Sequence, residues 1–239
     1  MKAVLFDLDG TLLPMDTKSF EQIYFTYLAK NMALRGYEPK KLVQSIWDGT
    51  MAMVRNDGSD SNENVFWKTF TEIYGPGSIR DKTIVDEFYT HDFSQAKQAC
   101  GSNPMAAELI GWLKGKGIGT ALATNPIFPE TATLARIEWA GLKPEDFAWI
   151  TTYENSRHAK PSLAYYEDCL EWLGLPADQV LMVGNDVEED MIAEKLGMKV
   201  FLLTDCLLNK KGKDISKWPN GSFLDLKCFL EKTIGRLNE

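Results

Sequence analysis

Beyond Pro104 the chain alternates between two hydrophobic periodicities, and this limits its fold more than any other feature. Apolar runs at 118–123, 147–152, 180–183 and 199–203 have strand length. Between them lie segments with apolar residues at helical spacing: Ala106, Leu109, Ile110 and Leu113; residues 129–140; Leu163, Tyr166, Leu170 and Leu173; and 188–196. Leu226, Phe229 and Leu230 mark a last helix. Strands that alternate with helices predict an α/β fold, a doubly wound parallel sheet with both faces covered. The short run Ala3-Val4-Leu5-Phe6 reads as the first strand of that sheet.

Residues 14 to 95 break the alternation. Phe20, Ile23, Tyr24, Tyr27 and Leu28 make one helical face, which Gly36 ends. Pro39 suits the first turn of a second helix carrying Val43, Ile46, Trp47 and Val54. A polar loop at 55–64 leads to a third helix with Phe66, Thr69, Phe70 and Ile73, stopped by Gly75-Pro76-Gly77. Ile84, Val85 and Phe88 suggest a fourth. The expectation is an all-helical domain at 15–94 inserted after the first strand of a core made of 1–14 and 95–239. A chain of 239 residues has room for both. The aromatic residues of the insert, Phe20, Tyr24, Tyr27, Trp47, Trp67 and Phe70, are expected to pack its interior.

Charge narrows the partners. With 26 basic and 34 acidic residues the formal net charge is −8, and the one dense basic cluster is Lys210, Lys211 and Lys213. That argues against a nucleic-acid partner. No run approaches the length of a membrane span, so no membrane partner is expected. The opening apolar run is too short for a secretory signal. Four scattered cysteines, Cys100, Cys169, Cys206 and Cys228, have no metal-binding spacing and read as reduced thiols. A cytoplasmic location follows. The sequence carries no mark of an oligomeric state.

Parallel sheets of this kind put their sites beyond the carboxyl ends of the strands. There the sequence places Asp7 and Asp9, then Thr124 and Asn125, then Lys160, then Asn185, Asp186 and Asp190. If the first strand and the strand ending at Gly184 are neighbours, Asp7, Asp9 and Asp186 share one crevice. Alternate residues of an extended segment point the same way, so Asp7 and Asp9 can serve one ligand while Leu8 turns away. Such a carboxylate cluster needs cations. Magnesium takes hard oxygen ligands and keeps waters or phosphate oxygens, and Lys160 adds a second positive charge. Metal and ammonium together suit a phosphoryl group under attack by a carboxylate.

Asp7-Leu8-Asp9-Gly10-Thr11 after a first strand resembles the DxDGT motif of the haloacid dehalogenase-like (HAD) superfamily. Thr124, Lys160 and the Asp186/Asp190 region fall, in order, where that superfamily keeps its other three motifs, and the helical insert resembles its cap. The resemblance implies a Rossmann-like core and a phosphatase acting on a small phosphorylated metabolite with Mg2+. Asp7 would be the nucleophile that forms an aspartyl-phosphate and a metal ligand. Asp9 would be the general acid and then base, binding metal through its backbone carbonyl. Thr124 and the Asn125 backbone would hold phosphoryl oxygens, Lys160 would bridge nucleophile and phosphoryl group, and Asp186 would bind metal. Asp190 would hold metal-bound water or orient Lys160.

The fourth motif departs from the usual Gly-Asp, because Asn185 intervenes between Gly184 and Asp186. Either Asp186 or Asn185 occupies the ligand position; a carboxylate is the better magnesium ligand, which favours Asp186. Within the superfamily the dehalogenating branch generally lacks an acid at the place of Asp9, so phosphate chemistry is expected. The alternatives are a phosphomutase on a sugar phosphate and a non-catalytic binding protein on the same fold. Glu188 and Glu189 are expected to be solvated acids in a first helical turn, and His91 and His158 to be structural or exposed. Pro14, Met15 and Asp16 lie at the entry to the insert, within reach of a substrate.

Overall fold

The computed structural model describes residues 1–235. Strand β1, Ala3–Phe6, is an interior strand of a parallel sheet. The other strands are β2 (Gly119–Leu122), β3 (Val180–Gly184), β4 (Lys199–Leu203) and the two-residue β5 (Asn220–Gly221). Their order is β2-β1-β3-β4-β5, so β1 does lie beside the strand that ends at Gly184. Phe6 is level with Leu122 on one side and Val183 on the other. Asp7, Ala123 and Gly184 therefore emerge side by side.

Residues along each strand alternate between two cores. Val4, Phe6, Leu181, Val183, Phe201 and Leu203 face one. Leu5, Met182, Val200 and Leu202 face the other. Helices α5 (Pro104–Gly115) and α8 (Phe223–Gly235) close the first face through Leu109, Ile110, Leu113, Leu226 and Leu230. Helix α7 (Leu163–Leu173) closes the second through Tyr165, Tyr166 and Cys169. Each such buried large side chain contributes about 1.5–3 kcal/mol, and the sheet has no exposed face to lose.

Two expected elements are different in the structure. Residues 147–152 are not a regular strand; only Ile150 bridges to Leu122 of β2. The backbone N–H groups of Ala148 and Thr151 bond Thr120 O and Leu122 O, at 2.8 and 3.1 Å. The donors are three residues apart and the acceptors two, so one extra residue bulges out and breaks the ladder. Residues 188–196 are not an α-helix. Asp186 Oδ1 accepts the Glu188 and Glu189 N–H groups at 2.7 and 2.9 Å, which holds a turn there. Only a 3₁₀ stretch, Met191–Leu196, follows.

Between residues 15 and 94 lie four α-helices: α1 (Thr17–Ala33), α2 (Pro39–Val54), α3 (Asn62–Tyr74) and α4 (Lys82–His91). Asp16 caps α1 through the Ser19 N–H at 3.0 Å, and Pro39 opens α2. Their apolar faces meet in a separate cluster around Tyr24, Leu28, Phe66, Phe70 and Phe88. The block leaves and rejoins the sheet through paired segments: Met15 bridges Cys100, and Asp16 N bonds Ala99 O at 3.0 Å. It also touches the core at Asn62, which is fully buried. Its amide donates to Pro126 O and His158 O at 3.2 and 3.1 Å, and its backbone N–H to Ser156 O at 2.8 Å.

Candidate active site

The end of β1 turns sharply. Leu13 N bonds Leu8 O at 2.9 Å and Gly10 N bonds Leu13 O at 2.7 Å. Leu8, Leu12 and Leu13 drop into the core, while Asp7 and Asp9 line a cavity. Gly10 sits at φ +85°, a conformation that suits glycine, and a Cβ there would run into the Asn185 side chain.

Asp7 is held on both oxygens. Lys160 Nζ donates to Oδ1 at 2.8 Å and the Thr11 hydroxyl to Oδ2 at 3.2 Å. Lys160 is 1% exposed and bonds Asp190 Oδ1 at 2.6 Å as well. Burial works against its charge, but the carboxylates of Asp190 and Asp7 outweigh that and push its pKa well up. Burial also raises Asp190, to about 7, against the pull of Lys160. Asp190 Oδ2 accepts the Asp186 N–H at 2.9 Å.

Asp190 reaches Lys160 across Gly184. A Cβ at position 184 would come within 2.1 Å of Asp190 Oδ2. Gly184→Ala is therefore expected to push Asp190 off Lys160 and cost about 1–3 kcal/mol in overpacking. Thermal unfolding and turnover of the variant should both fall.

Asn185 is buried with its amide engaged at both ends. Oδ1 accepts from Thr11 Oγ1 at 3.0 Å and Nδ2 donates to Cys206 O at 2.7 Å. Asp186 lies on the cavity wall; its Oδ1 holds the turn, and Oδ2 has no partner among the described residues. Thr124 is buried on the same wall, and its carbonyl accepts the Thr151 and Tyr165 hydroxyls at 2.7 and 2.9 Å. Asn125 ties two strand ends together. Its Oδ1 accepts the Lys160 backbone N–H at 3.3 Å and its Nδ2 donates to Glu189 Oε2 at 3.1 Å. All eight residues expected at the site thus line one cavity.

Two further groups belong to it. Arg136 rises from α6 (Glu130–Trp139), is 1% exposed, and pairs with Asp9 Oδ2. Its guanidinium lies 4.6 Å from the centre of the Phe128 ring. Burial pushes Asp9's pKa up, and Arg136 opposes the shift. The sequence signal for Arg136 was its place on the helix face of Ala132, Thr133 and Ile137. Glu189, expected to be solvated, is turned inward instead because the helix does not form; burial raises its pKa too. His158 bonds Asp168 Oδ2 at 2.7 Å and His91 is exposed, which leaves both outside the cavity wall.

Among the described residues no three His, Cys, Asp or Glu side chains form a ready metal cage. Magnesium does not need one, since it binds through one or two carboxylates plus water and phosphate oxygens. Asp7, Asp9, Asp186, Glu189 and Asp190 bring five carboxyl groups here, against Lys160 and Lys210 on the wall and Arg136 behind Asp9. Asp9 Oδ1 is buried without a hydrogen-bond partner. An excess of hard oxygen donors fits a divalent cation.

The chain is 25% identical over 209 residues to the phosphoglycolate phosphatase of Rhodospirillum rubrum, covering 85% of this chain and 79% of that one. The fold matches the crystal structure of a HAD phosphatase from Thermococcus onnurineus with a TM-score of 0.57 and 18% identity, over 96% and 98% of the two chains. It also matches the L-2-haloacid dehalogenase of Xanthobacter autotrophicus with a TM-score of 0.50 and 22% identity, over 85% and 77%. Fold likeness alone therefore does not separate phosphate from halide chemistry. A family model described as haloacid dehalogenase-like hydrolase matches residues 1–196. With most of its length covered by that model, the chain belongs to the haloacid dehalogenase-like hydrolases.

Proposed function

We propose that the protein is a magnesium-dependent phosphatase that hydrolyses a small phosphorylated metabolite through an aspartyl-phosphate on Asp7. One observation carries this: Lys160 pins one oxygen of Asp7 at 2.8 Å, at the end of β1. Oδ2, held only by the Thr11 hydroxyl, is then the attacking atom. The phosphatase activity of the Rhodospirillum relative supports the same reading.

Asp7 Oδ2 attacks phosphorus as the P–O bond to the alcohol breaks. Asp9 gives its proton to the departing alkoxide. Asp9 then takes a proton from water as that water attacks the aspartyl-phosphate, which releases phosphate and restores Asp7. Lys160 and the Thr124 hydroxyl hold phosphoryl oxygens, and Arg136 keeps Asp9 in place. Bound magnesium supplies charge neutralisation of the phosphoryl oxygens. The Asp7 carboxylate, the Asp9 backbone carbonyl and Asp186 would hold it, with Asn185 and Asp190 behind them. The helical block at 15–94 acts as a cap that keeps bulk water from the site. Four free cysteines suit a reducing cytoplasmic setting, and no described helix is long and apolar enough to cross a membrane.

Removal of divalent metal should abolish release of phosphate from esters, and added magnesium should restore it. Full activity after exhaustive chelation would contradict the metal assignment.

A further inference from the structure

The cavity does not end at the carboxylates. It encloses about 430 Å³, the size of a small-molecule site, and runs from Asp7 into the interior of the helical block. There Phe20, Leu28, Leu42, Trp67 and Phe70 line it, along with Tyr24. These aromatic residues were expected only to pack against one another. They do pack, but most of them also wall an open space.

The chemistry of that wall is one-sided. Among the described residues, the only charged side chain that the helical block gives the cavity is Glu21. The hydroxyls of its Tyr24 and Tyr89 share a hydrogen bond of 2.8 Å, and Tyr153 of the core accepts the Trp67 indole N–H at 3.5 Å. The apolar wall continues to the surface, where Trp47 and Met51 of α2 line the cavity while 40% and 39% exposed. Exposed large apolar side chains at the mouth of an apolar chamber suit entry of an apolar group. Beyond the tyrosines, a sugar would meet Thr17, Glu21 and Thr50 on the block's wall, among the described residues, and would bury its other hydroxyls unpaired. A short hydroxy acid would leave the chamber unfilled and meet no cation from the cap.

We infer that the substrate is the phosphate monoester of an apolar alcohol, an aralkyl or branched alkyl group that fills the chamber in the helical block. This rests on the phosphatase reading and narrows it. It also separates this chain from the Rhodospirillum relative, whose name gives it a carboxylated substrate.

The test compares 3-phenylpropyl phosphate with glucose 6-phosphate and phosphoglycolate, all alkyl esters, in the presence of magnesium. The aralkyl ester should show a kcat/KM higher by about 100-fold, the range one or two extra apolar groups supply in a pocket. Binding of the free alcohol, 3-phenylpropanol, is measured separately by calorimetry on the metal-free protein. Met51→Lys, at a position 39% exposed, should weaken alcohol binding and raise KM for the aralkyl ester by about tenfold with an unchanged melting temperature. Asp7-dependent turnover that favours the sugar ester or phosphoglycolate would overturn the inference and leave the phosphatase reading standing. Alcohol binding that Met51→Lys weakens, with no ester turned over, would keep the apolar site and overturn the phosphatase reading. Neither binding nor turnover would overturn both.

Discussion

Asp7→Asn is expected to reduce turnover of every phosphate ester by about four orders of magnitude or more, the scale seen when a nucleophile is removed. The fold should survive. Asn keeps the shape of the side chain, and its Oδ1 can still accept from Lys160 or Thr11, which hold the aspartate at 2.8 and 3.2 Å. Lys160 also keeps its second partner, Asp190. The melting temperature should therefore move by only a few degrees. The variant should still bind phosphate, because it loses one charge and no volume, while magnesium binding should weaken with the loss of one carboxylate ligand. Parallel assays of turnover and thermal unfolding separate this result from a folding defect.

Lys160→Met should do the opposite: lose activity through loss of stability as well as chemistry. Among the described residues, Lys160 is the cation lying between the buried carboxylates of Asp7 and Asp190. Its removal leaves two buried acids facing each other, a defect of about 3–5 kcal/mol. For a chain of this size, about 2–4 °C per kcal/mol makes that a fall of roughly 6–20 °C. The pH dependence has a definite sign. Burial already raises Asp190 to about 7 against the pull of Lys160; without Lys160 it rises further. A carboxyl whose folded pKa lies above its unfolded value binds more protons when folded, so stability is lost as pH rises through that interval. The variant's deficit should be smaller near about pH 5 than near about pH 8. Thermal unfolding of both proteins across that range measures it.

The part of the site that was legible in the sequence is the part on the ends of the strands. An acid directly after four apolar residues, as in Ala3–Asp7, has few places to go except a strand end, while which ends meet depends on strand order, which the βα alternation leaves open. The usual doubly wound order, taken as a condition, puts β1 beside β3 as the structure has it, and helical spacing marked the four helices of the insert. It did not recover Arg136, since a single arginine on a helix reads as solvated unless its small and apolar face-mates are weighed. Glu189 was missed because the Asp186 side chain, not a helix, holds residues 187–190. The bulge near Ile150 arises from one residue's difference in pairing, which hydrophobic pattern does not record. The aromatic chamber was hidden for a different reason. Helical spacing identifies the inward face, but inward residues that meet other side chains and those that meet a cavity have the same spacing.

The central claim is that Asp7 itself carries the phosphoryl group during turnover. Quenching the enzyme during steady-state hydrolysis of a phosphate ester and reducing it with borohydride converts an aspartyl-phosphate to homoserine. Peptide mass spectrometry should then find homoserine at position 7 and nowhere else, and only when both ester and magnesium are present. Steady release of phosphate with an unmodified Asp7 under those conditions would contradict the account.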